Sequence, residues 1–448
     1  MFKEFESVGK AEWLEKLMAD LKGKDPEILL YNDEIEGIDI ESYQHKEDFG
    51  TDNSAPSVFP YESGFNRSGN QWSNGLQISI KSEGDANKEA LSMLMKGVNF
   101  IDFRPSNDTT NWSKVLDGIM LEHINTHFDI RSVNELKLLL TLIPSEARQR
   151  VTFGLDPLLL SEAELSEAFA LIKDVQFPVF KIDAYQIESC GGNNTEQLAF
   201  ALNLGHEMLL NAMNRGLSID EATACLHFYM GSGSNYLIES VKLSALRANW
   251  SKIVHSYNPE HSCSHRCYIT TVIGHVNKSL QDPYTNLLRQ TTEAMSAVNG
   301  GTDRLIILPY DQLSTSGASE LAKRMAVNIS LILKEESHLD KVINPLGGSY
   351  AFRRVLNFLE SNSWDLFLQL EDQGGLLTEK GKELLSQKVR ETSEKRIDDY
   401  ANGKRTLIGV NKYPDPVSHD LEWMEIKDTY LGLAHIILEK EIKELANG

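Results

Sequence analysis

The sequence predicts an α/β protein built on a closed (β/α)8 TIM barrel. Short, mostly β-branched or apolar segments alternate with longer helical patterns through the centre of the 448-residue chain. Near-continuous apolar strands joined by helices are typical of a parallel sheet covered by helices. The apolar segments number eight, which favours a closed barrel. An open Rossmann-like sheet is the alternative, but no G-x-G-x-x-G motif follows the first strand.

The eight predicted strands follow one another at helix-length intervals, and the first and third have the weakest patterns. They are predicted at residues 76–80, 98–103, 123–130, 150–155, 179–184, 225–230, 268–273 and 304–309. The helix before the eighth strand has clear end signals. Asp282 and Pro283 are suited to its first turn, and the pair Gly300 and Gly301 is suited to its end.

The segments that flank the barrel have different patterns. Residues 1–75 begin with an acidic amphipathic helix and continue into a stretch rich in Gly, Ser, Asn and Pro, which predicts an extended arm on the surface. Residues 346–448 return to helical periodicity, with two long helices and a terminal amphipathic helix. The predicted organisation is therefore a helix and arm over 1–75, the barrel over 76–345 and a helical extension over 346–448.

The composition excludes several classes of function. Lys and Arg number 44 against 65 Asp and Glu, a net charge of -21, whereas nucleic-acid and anionic-membrane binders need dense positive charge. The chain has neither a transmembrane-length apolar run nor a secretory signal pattern at its start. Its four cysteines indicate a reducing compartment. We therefore expect a cytoplasmic protein with no nucleic acid and no membrane as partner.

The ends of the predicted strands hold candidate functional residues, because chemistry in this fold sits at the C-terminal ends of the strands. These positions carry Asp102, Arg104, Asp156, Asp183, Tyr185, Gln186, His275, Tyr310 and Asp311. Their spacing contains no recognisable acid/base pair, and the chain has no G-x-S-x-G, Walker loop or H-E-x-x-H motif. The GSGSN loop, residues 231–235, fits a phosphate cradle at a helix start and equally a tight strand-to-helix turn.

One segment, HSCSHRC, contains metal-ligand residue types. Its histidines and cysteines alternate, at His261, Cys263, His265 and Cys267, and on a strand all four would share one face. Structural zinc sites usually take further ligands from a second segment, and the remaining two cysteines have no paired spacing. The favoured interpretation is a polar loop that leads into a strand, and no metal site is predicted.

Six stretches of the chain together resemble the methylmalonyl-CoA mutase family. They are ANKEALSMLMKGVNFIDF, HFYMGSGSNYLIESVKLSALRANW, QDPYTNLLRQTTEAMSAVNGGTDRLIILPYD, KEESHLDKVINPLGGSY, WDLFLQLEDQGG and RTLIGVNKYP. They occur in the family's order, and the likeness is closer to the small, or beta, subunit of the heterodimeric bacterial enzyme. The resemblance implies a barrel through whose axis a CoA thioester threads, and a separate domain that binds adenosylcobalamin.

The sequence departs from the family's catalytic pattern. The cobalt-ligating D-x-H-x-x-G motif does not occur, W-x-I-R-Q-Y-A-G is replaced by WSNGLQISIKSEG, and Q-T-S-G by VIGH. Y-H-M-Q-E-A-G-A becomes YQIESCGG, so Tyr185 is kept while Gln186 replaces the histidine that polarises the thioester carbonyl in the family. G-G-T-Q-S-L-H-T-N becomes GGTDRLIILPYD. Together these changes remove cofactor binding and electrostatic stabilisation.

The resemblance therefore predicts a non-catalytic small subunit without a cobalamin-binding domain. It would support a large (alpha) subunit that binds adenosylcobalamin, in an isomerase that interconverts methylmalonyl-CoA and succinyl-CoA. The CoA thioester would be handled through the complex. Two alternatives stay open, namely the catalytic barrel of a split mutase with a separate cobalamin subunit, and a CoA-thioester-binding scaffold.

No catalytic residue and no metal ligand is assigned to this chain. The family-motif positions in the barrel, as structural or vestigial substrate-site residues, are Tyr185, Gln186, Lys242, Arg247, Asn286, Arg289 and Glu293. Their expected role is polar bonding that holds the shape of the barrel. The N-terminal arm and the terminal helix are the candidates for docking the large subunit.

Overall fold

The computed structural model describes residues 8–25, 29–49, 58–65, 67–107, 109–172, 177–414, 422–426 and 429–447. The strands are β1 (Tyr31–Asp33), β2 (Ile38–Ile40), β3 (Ser73–Ile80), β4 (Phe100–Pro105), β5 (Asn125–Phe128), β6 (Val151–Phe153), β7 (Phe180–Asp183), β8 (Leu226–Gly231), β9 (Ile269–Ile273), β10 (Arg304–Ile307), β11 (Thr429–Tyr430) and β12 (Leu433–Ala434). The α-helices are α1 (Lys10–Leu21), α2 (Glu83–Leu94), α3 (Trp112–Val115), α4 (Val133–Leu142), α5 (Glu162–Ile172), α6 (Tyr185–Ser189), α7 (Asn194–Asn214), α8 (Ile219–Ala224), α9 (Tyr236–Ser256), α10 (Thr285–Asn299), α11 (Glu320–Leu331), α12 (Tyr350–Asp372), α13 (Glu379–Ala401) and α14 (Leu438–Asn447).

Strands β3 to β10 form one parallel sheet that closes into a barrel. Neighbours pair in chain order, and the last strand returns to the first with Arg304 opposite Ser73. Between β6 and β7 the ring is closed by hydrogen bonds from Leu155 N to Val179 O (3.1 Å) and from Lys181 N to Leu155 O (3.0 Å). Eight parallel strands in sequential order with helices between them make a (β/α)8 barrel, so the predicted fold class is confirmed.

All eight predicted barrel strands are present, with shifted ends. The first strand begins at Ser73 instead of residue 76, and the third is shorter than predicted. The early start was missed because Asn74 is polar, yet it is buried and bonded inside the sheet. Its backbone N donates to Asn99 Oδ1 at 2.7 Å, and its side chain donates to Gly97 O at 3.2 Å. A polar residue satisfied in this way gives no apolar signal.

Successive residues of each strand face either the helices or the barrel interior, as the period of two requires. On β4, Ile101 and Phe103 belong to the large core cluster between strands and helices. Phe100 belongs instead to a separate interior cluster, whose other members are Tyr185, Tyr229, Val272, Ile306 and Leu308. The helix-facing side is therefore apolar, and the inward side is where the unusual residues of the chain gather.

The N-terminal arm contains the predicted helix, α1, and an unpredicted hairpin, β1–β2. Ile38 and Ile40 of the hairpin are buried in the main core, but the acidic residues around them hid this in the sequence. Beyond the hairpin, the parts of the arm that the structure describes are irregular apart from a short turn of 3-10 helix at Lys46–Asp48. Glu62 anchors it through a two-bonded ion pair with Arg353, at 2.7 and 2.9 Å.

The C-terminal extension contains the two predicted long helices, α12 and α13. The terminal helix was predicted to begin near residue 427, of which 427 and 428 lie outside the described residues, and the prediction was wrong for residues 429–437, because 429–434 form the β11–β12 hairpin. Its turn uses Leu431 and Gly432, both at positive φ. None of the helices in the described ranges combines the length and apolarity of a membrane span. The division of the chain into arm, barrel and extension stays a prediction.

Candidate functional site

The axis of the barrel is filled at its lower level by a cation stacked on aromatic rings. The guanidinium carbon of Arg304 lies 4.4 Å from the ring centroid of Phe100 and 4.9 Å from that of Tyr268. Its Nη1 donates to Thr152 Oγ1 at 2.8 Å. Arg304 is 2% exposed and Phe100 0%. Such a contact is strongest where water is excluded, and here it closes the axis.

The next level of the axis holds two histidines and a tyrosine. The ring of His127 lies 5.0 Å from that of His227 and 5.1 Å from that of Tyr229, and all three are fully buried. His127 Nδ1 bonds with Thr152 Oγ1 at 2.9 Å, and His227 Nε2 donates to Phe153 O at 2.8 Å. Burial lowers the pKa of both histidines, so they are neutral fillers of the axis.

An ionic network crosses the barrel above this level. Lys181 pairs with Asp129 and, at 3.1 Å, with Asp183, while Arg104 pairs with Asp102 at 3.1 Å. Burial works against ionisation of Asp129, but the charges of Lys181 and Arg104 hold its pKa well below the usual range. Asp129 is therefore ionised, and its charge depends on these two cations.

Two glycines allow this tight interior. A Cβ at Gly75 would lie 2.8 Å from the ring of Phe100, and one at Gly154 would lie 2.6 Å from Asp129 Oδ1. Both distances are below van der Waals contact. The interior is thus packed to contact at the levels of Phe100 and Asp129, as protein cores are.

At the C-terminal mouth, the first two predicted family-motif residues are covered by the chain itself. Tyr185 Oη lies 3.2 Å from His275 Nδ1. Gln186 Nε2 donates to Asp183 Oδ2 at 3.1 Å, and its Oε1 accepts from His435 Nε2 at 2.9 Å. Burial raises the pKa of Tyr185 and lowers the pKa of His275 to about 3. Both groups are therefore neutral near physiological pH.

Lys242 and Glu293 belong to a buried ionic cluster beside the mouth. Lys242 Nζ donates to Gly231 O at 2.6 Å and pairs with Glu239 at 2.5 Å. Glu293 pairs with Lys278 at 2.7 Å. All four charged side chains are buried. These pairs tie the loops after β8 and β9 to helices α9 and α10.

Asn286 and Arg289 bond mainly to backbone. Asn286 Oδ1 accepts from Ser279 N at 2.9 Å, and its Nδ2 donates to Ser279 O at 2.7 Å and Tyr310 O at 3.2 Å. Arg289 donates to Asn286 Oδ1 at 2.8 Å and to Ile408 O. The polar residues Asn286 and Arg289 of α10 therefore hold the loops that follow β9 and β10 in place.

Arg247 lies apart from the other predicted positions. It donates to Gly301 O at 2.7 Å and to Asp303 Oδ2 at 3.2 Å, and Arg67 of the arm bonds to the same carbonyl. These acceptors precede β10, at the N-terminal end of the barrel. The structure therefore brings Tyr185 together with the other mouth positions and leaves Arg247 at the opposite end.

A cavity of about 300 Å³ opens at the N-terminal end of the barrel. Its lining includes Thr152, Tyr268 and Arg304, the residues of the lowest filled level. The cavity therefore ends where the stacked arginine begins.

The HSCSHRC segment lies at the rim of that cavity. It forms a turn of 3-10 helix at Ser262–His265 and leads into β9, so the predicted polar loop before a strand is confirmed. In the part of the chain that the structure describes, no three or more His, Cys, Asp or Glu side chains are grouped as a metal site.

The GSGSN loop joins β8 to α9 and contacts the arm. Asn235 caps the helix, with Ile238 N donating to its Oδ1 at 3.5 Å. Its Nδ2 donates to Asp33 Oδ2 at 2.9 Å. The loop therefore makes a tight strand-to-helix turn whose last residue is bonded to a carboxylate of the chain itself.

A model of the family described as methylmalonyl-CoA mutase matches residues 147–444. The chain belongs to the methylmalonyl-CoA mutase family. It is similar to the methylmalonyl-CoA mutase small subunit of Porphyromonas gingivalis, with 28% identity over 445 residues that cover 93% of this chain and 71% of that protein. The small subunit of Streptomyces virginiae is 28% identical over 323 residues, which cover 68% of this chain and 52% of that one.

Relatives named methylmalonyl-CoA mutase, without a subunit designation, match a shorter part of this mutase-family chain. The methylmalonyl-CoA mutase of Rhizobium meliloti is 30% identical over 269 residues, which cover 60% of this chain and 37% of that protein. A solved dihydropteroate synthase of Yersinia pestis superimposes on 59% of this chain and 93% of its own, with a TM-score of 0.32 at 13% identity. That similarity is too low to bear on fold or function.

Sequence reasoning missed most of the residues that fill the barrel of this mutase homologue. They are Phe100, His127, Asp129, Lys181, His227, Tyr229, Arg304, Tyr430 and His435. Strict alternation within the predicted strands would have placed most of them inward. Tyr430 and His435 gave no such signal, since they come from a region predicted as helix.

Proposed function

We propose that this chain is the non-catalytic small subunit of an adenosylcobalamin-dependent methylmalonyl-CoA mutase. It pairs with a large subunit that isomerises methylmalonyl-CoA to succinyl-CoA. Similarity to a protein named as a small subunit along 93% of the chain supports this assignment. The observation that carries the non-catalytic role is the contact of Arg304 with Phe100 at 4.4 Å, because a CoA thioester threaded along the axis would need that volume.

The residues at the mouth do not fit adenosylcobalamin. The space over the C-terminal ends of the strands is occupied by the β11–β12 hairpin and the residues after it. Cys190 Sγ donates to Leu433 O at 3.7 Å, and Ile436 N donates to Ser189 O at 2.9 Å. A corrin face against the mouth would have to displace this segment. We therefore assign the cofactor to the large subunit, with the CoA thioester reaching it through the complex.

What the chain contributes is a rigid protein surface. Its filled axis and paired mouth charges stabilise a barrel that needs no substrate to hold its shape. We also assign the heterodimer to the cytoplasm, because all four cysteines are free thiols, as a reducing compartment keeps them.

Helix α1 is our candidate for docking the large subunit. Its Leu14 and Met18 are 41% and 51% exposed, and they lie one turn apart on the same face. Deletion of residues 1–30 should reduce co-elution with the large subunit. An undiminished heterodimer would rule out the arm and leave α14 as the remaining candidate.

The deciding experiment is a reconstitution. The two subunits are purified separately and assayed for isomerisation of methylmalonyl-CoA with added adenosylcobalamin, alone and together. We expect none from this chain alone and activity from the mixture, with one complex on size exclusion. Turnover by this chain alone would overturn the proposal. Turnover with only a small separate cobalamin-binding protein would instead assign the catalytic barrel of a split mutase.

A further inference from the structure

A small cavity of about 40 Å³ lies between the β1–β2 hairpin and the mouth of the barrel. Three parts of the molecule meet there, namely the hairpin turn, the starts of α7 and α9, and the C-terminal extension. A buried water needs roughly 10–15 Å³, so the cavity has room for one dehydrated ion or a few waters.

Three oxygen atoms of the cavity residues lack a hydrogen-bond donor among the residues that the structure describes. They are Glu188 Oε2, Asn194 Oδ1 and Gln197 Oε1. The three side chains are only 9%, 2% and 1% exposed. Leaving a buried acceptor without a partner costs about 1–3 kcal/mol, so three such oxygens on residues that line one cavity favour an occupant.

The two guanidiniums on the cavity wall are already engaged. Arg396 Nε and Nη2 donate to the carbonyl oxygens of Gly191 and Gly192, at 3.1 and 3.3 Å. Arg405 is bonded to the carboxyl of Asp33. The orphaned buried atoms are acceptor oxygens, so an occupant that satisfies them must bring positive charge or hydrogens of its own.

The balance of charged side chains around the cavity also favours a positively charged occupant. Four carboxyls line the cavity, from Asp33, Glu36, Glu188 and Glu239, against the guanidiniums of Arg396 and Arg405. Lys242 adds one positive charge through its 2.5 Å pair with Glu239, and Lys278, which also faces Glu188, is balanced by its own 2.7 Å pair with Glu293. Four acids against three bases leave one negative charge uncompensated. A second positive charge would meet the two guanidiniums at close range, which disfavours a divalent ion.

We propose that this cavity binds a single monovalent cation of the potassium class. The cation would be held by carboxylate and amide oxygens, the ligands that hard cations prefer, and it would tie the arm to the mouth of the barrel. Glu36 makes the link from the arm, since its carboxyl accepts from Asn194 N at 3.0 Å and from Asn194 Nδ2 at 3.1 Å. The inference does not depend on the proposed subunit role.

Protons compete with the cation for this site. Burial raises the pKa of Glu36 and of Glu188 to about 7. The charged groups that face the two carboxyls are Asp33, Glu239, Lys242, Lys278 and Arg396. Cation binding should therefore strengthen as the pH rises through about 7, where the carboxyls lose their protons.

The test is equilibrium dialysis of the full-length chain against radioactive rubidium chloride, a potassium analogue, in choline chloride at about pH 8. We expect one bound ion per chain, displaced by potassium. The thermal midpoint should also rise in potassium relative to choline at equal ionic strength, and the rise should saturate with concentration.

Gln197→Leu removes one ligand oxygen from the site and should weaken rubidium binding about tenfold, the loss expected for one polar contact. Gln387→Leu, at an exposed position on α13, is the matched control and should bind as the unchanged chain does. No bound rubidium in the unchanged chain would mean that the cavity holds water only, and would overturn the proposal. Saturable stabilisation by calcium but not by potassium would overturn it as well.

Discussion

Arg304 lies over Phe100, with its guanidinium carbon 4.4 Å from the centroid of the ring, and the two side chains close the barrel axis. The ring cannot withdraw toward β3, because a Cβ at the adjacent Gly75 would already lie 2.8 Å from it. The arginine is held from the other side by Thr152 at 2.8 Å. The closed axis therefore depends on packing between strands β3, β4, β6 and β10.

Replacing Phe100 by Ala should destabilise the chain by about 3–5 kcal/mol, since it removes a fully buried ring and leaves a cavity beside a cation. Urea unfolding followed by circular dichroism measures the change. Met95→Ala is the control, because Met95 is 88% exposed and surface changes usually stay within about 0.5 kcal/mol. A cost below about 1 kcal/mol for Phe100→Ala would mean that the ring does not fill the axis.

Lys181→Met should cost about 3–5 kcal/mol of unfolding free energy, because it leaves the buried carboxylate of Asp183 and the partly buried carboxylate of Asp129 without their paired cation. Adding Asp129→Asn to the same chain should recover part of that loss, since the new amide carries no charge. A double-mutant cycle in urea measures the coupling. Strictly additive losses would show that the two residues do not interact across the barrel.

Asn286→Ala should cost about 3 kcal/mol, because both backbone polar groups of Ser279 and the carbonyl of Tyr310 lose a buried partner. The expected loss is in stability, measured by denaturant unfolding of the isolated chain. Thr292→Ala, on an exposed part of the same helix, should change stability by no more than about 0.5 kcal/mol. If the two variants have the same free energy of unfolding, the bonds of Asn286 do not stabilise the chain.

The helix-facing residues of the barrel strands could be predicted from the sequence, and the inward-facing residues could not. Residues such as Ile101 and Phe103 give the apolar runs that mark strands, because helices cover that face. Inward residues such as Lys181 are polar, and its partner Asp129 follows a different strand, so local sequence carries no sign of that pairing. Arg304 and Thr152 meet across 152 residues of chain.

The segment that covers the mouth, the β11–β12 hairpin and the residues after it, could not be predicted for a different reason. His435 reaches Gln186 from 249 residues away, and the segment around it combines short apolar runs with a helix-like pattern. Its extended form is set by contacts with the barrel, which override local propensity. The family resemblance identified Gln186 as the residue that replaces a family histidine. Only the structure shows that His435 and its neighbours lie over Gln186.

Ionisation of the buried Glu188 carboxyl should make the free energy of unfolding fall as the pH rises. Burial raises its folded pKa from 4.5 to about 7, so between these two values the folded state keeps a proton that the unfolded state has lost. Its contribution to the free energy of unfolding is fully present below about pH 4.5 and is lost as the pH rises through about 7. The total loss is about 3 kcal/mol.

Glu188→Gln keeps the shape of the side chain and removes its titration, so it should flatten the dependence of unfolding free energy on pH. Urea unfolding in choline chloride at several values between about pH 5 and 8 measures the slope. Glu394→Gln, at an exposed position on α13, should leave the slope unchanged. Equal slopes in both variants would contradict the assignment. Because bound potassium would stabilise the ionised carboxyl, the slope of the unchanged chain should be shallower in potassium chloride than in choline chloride.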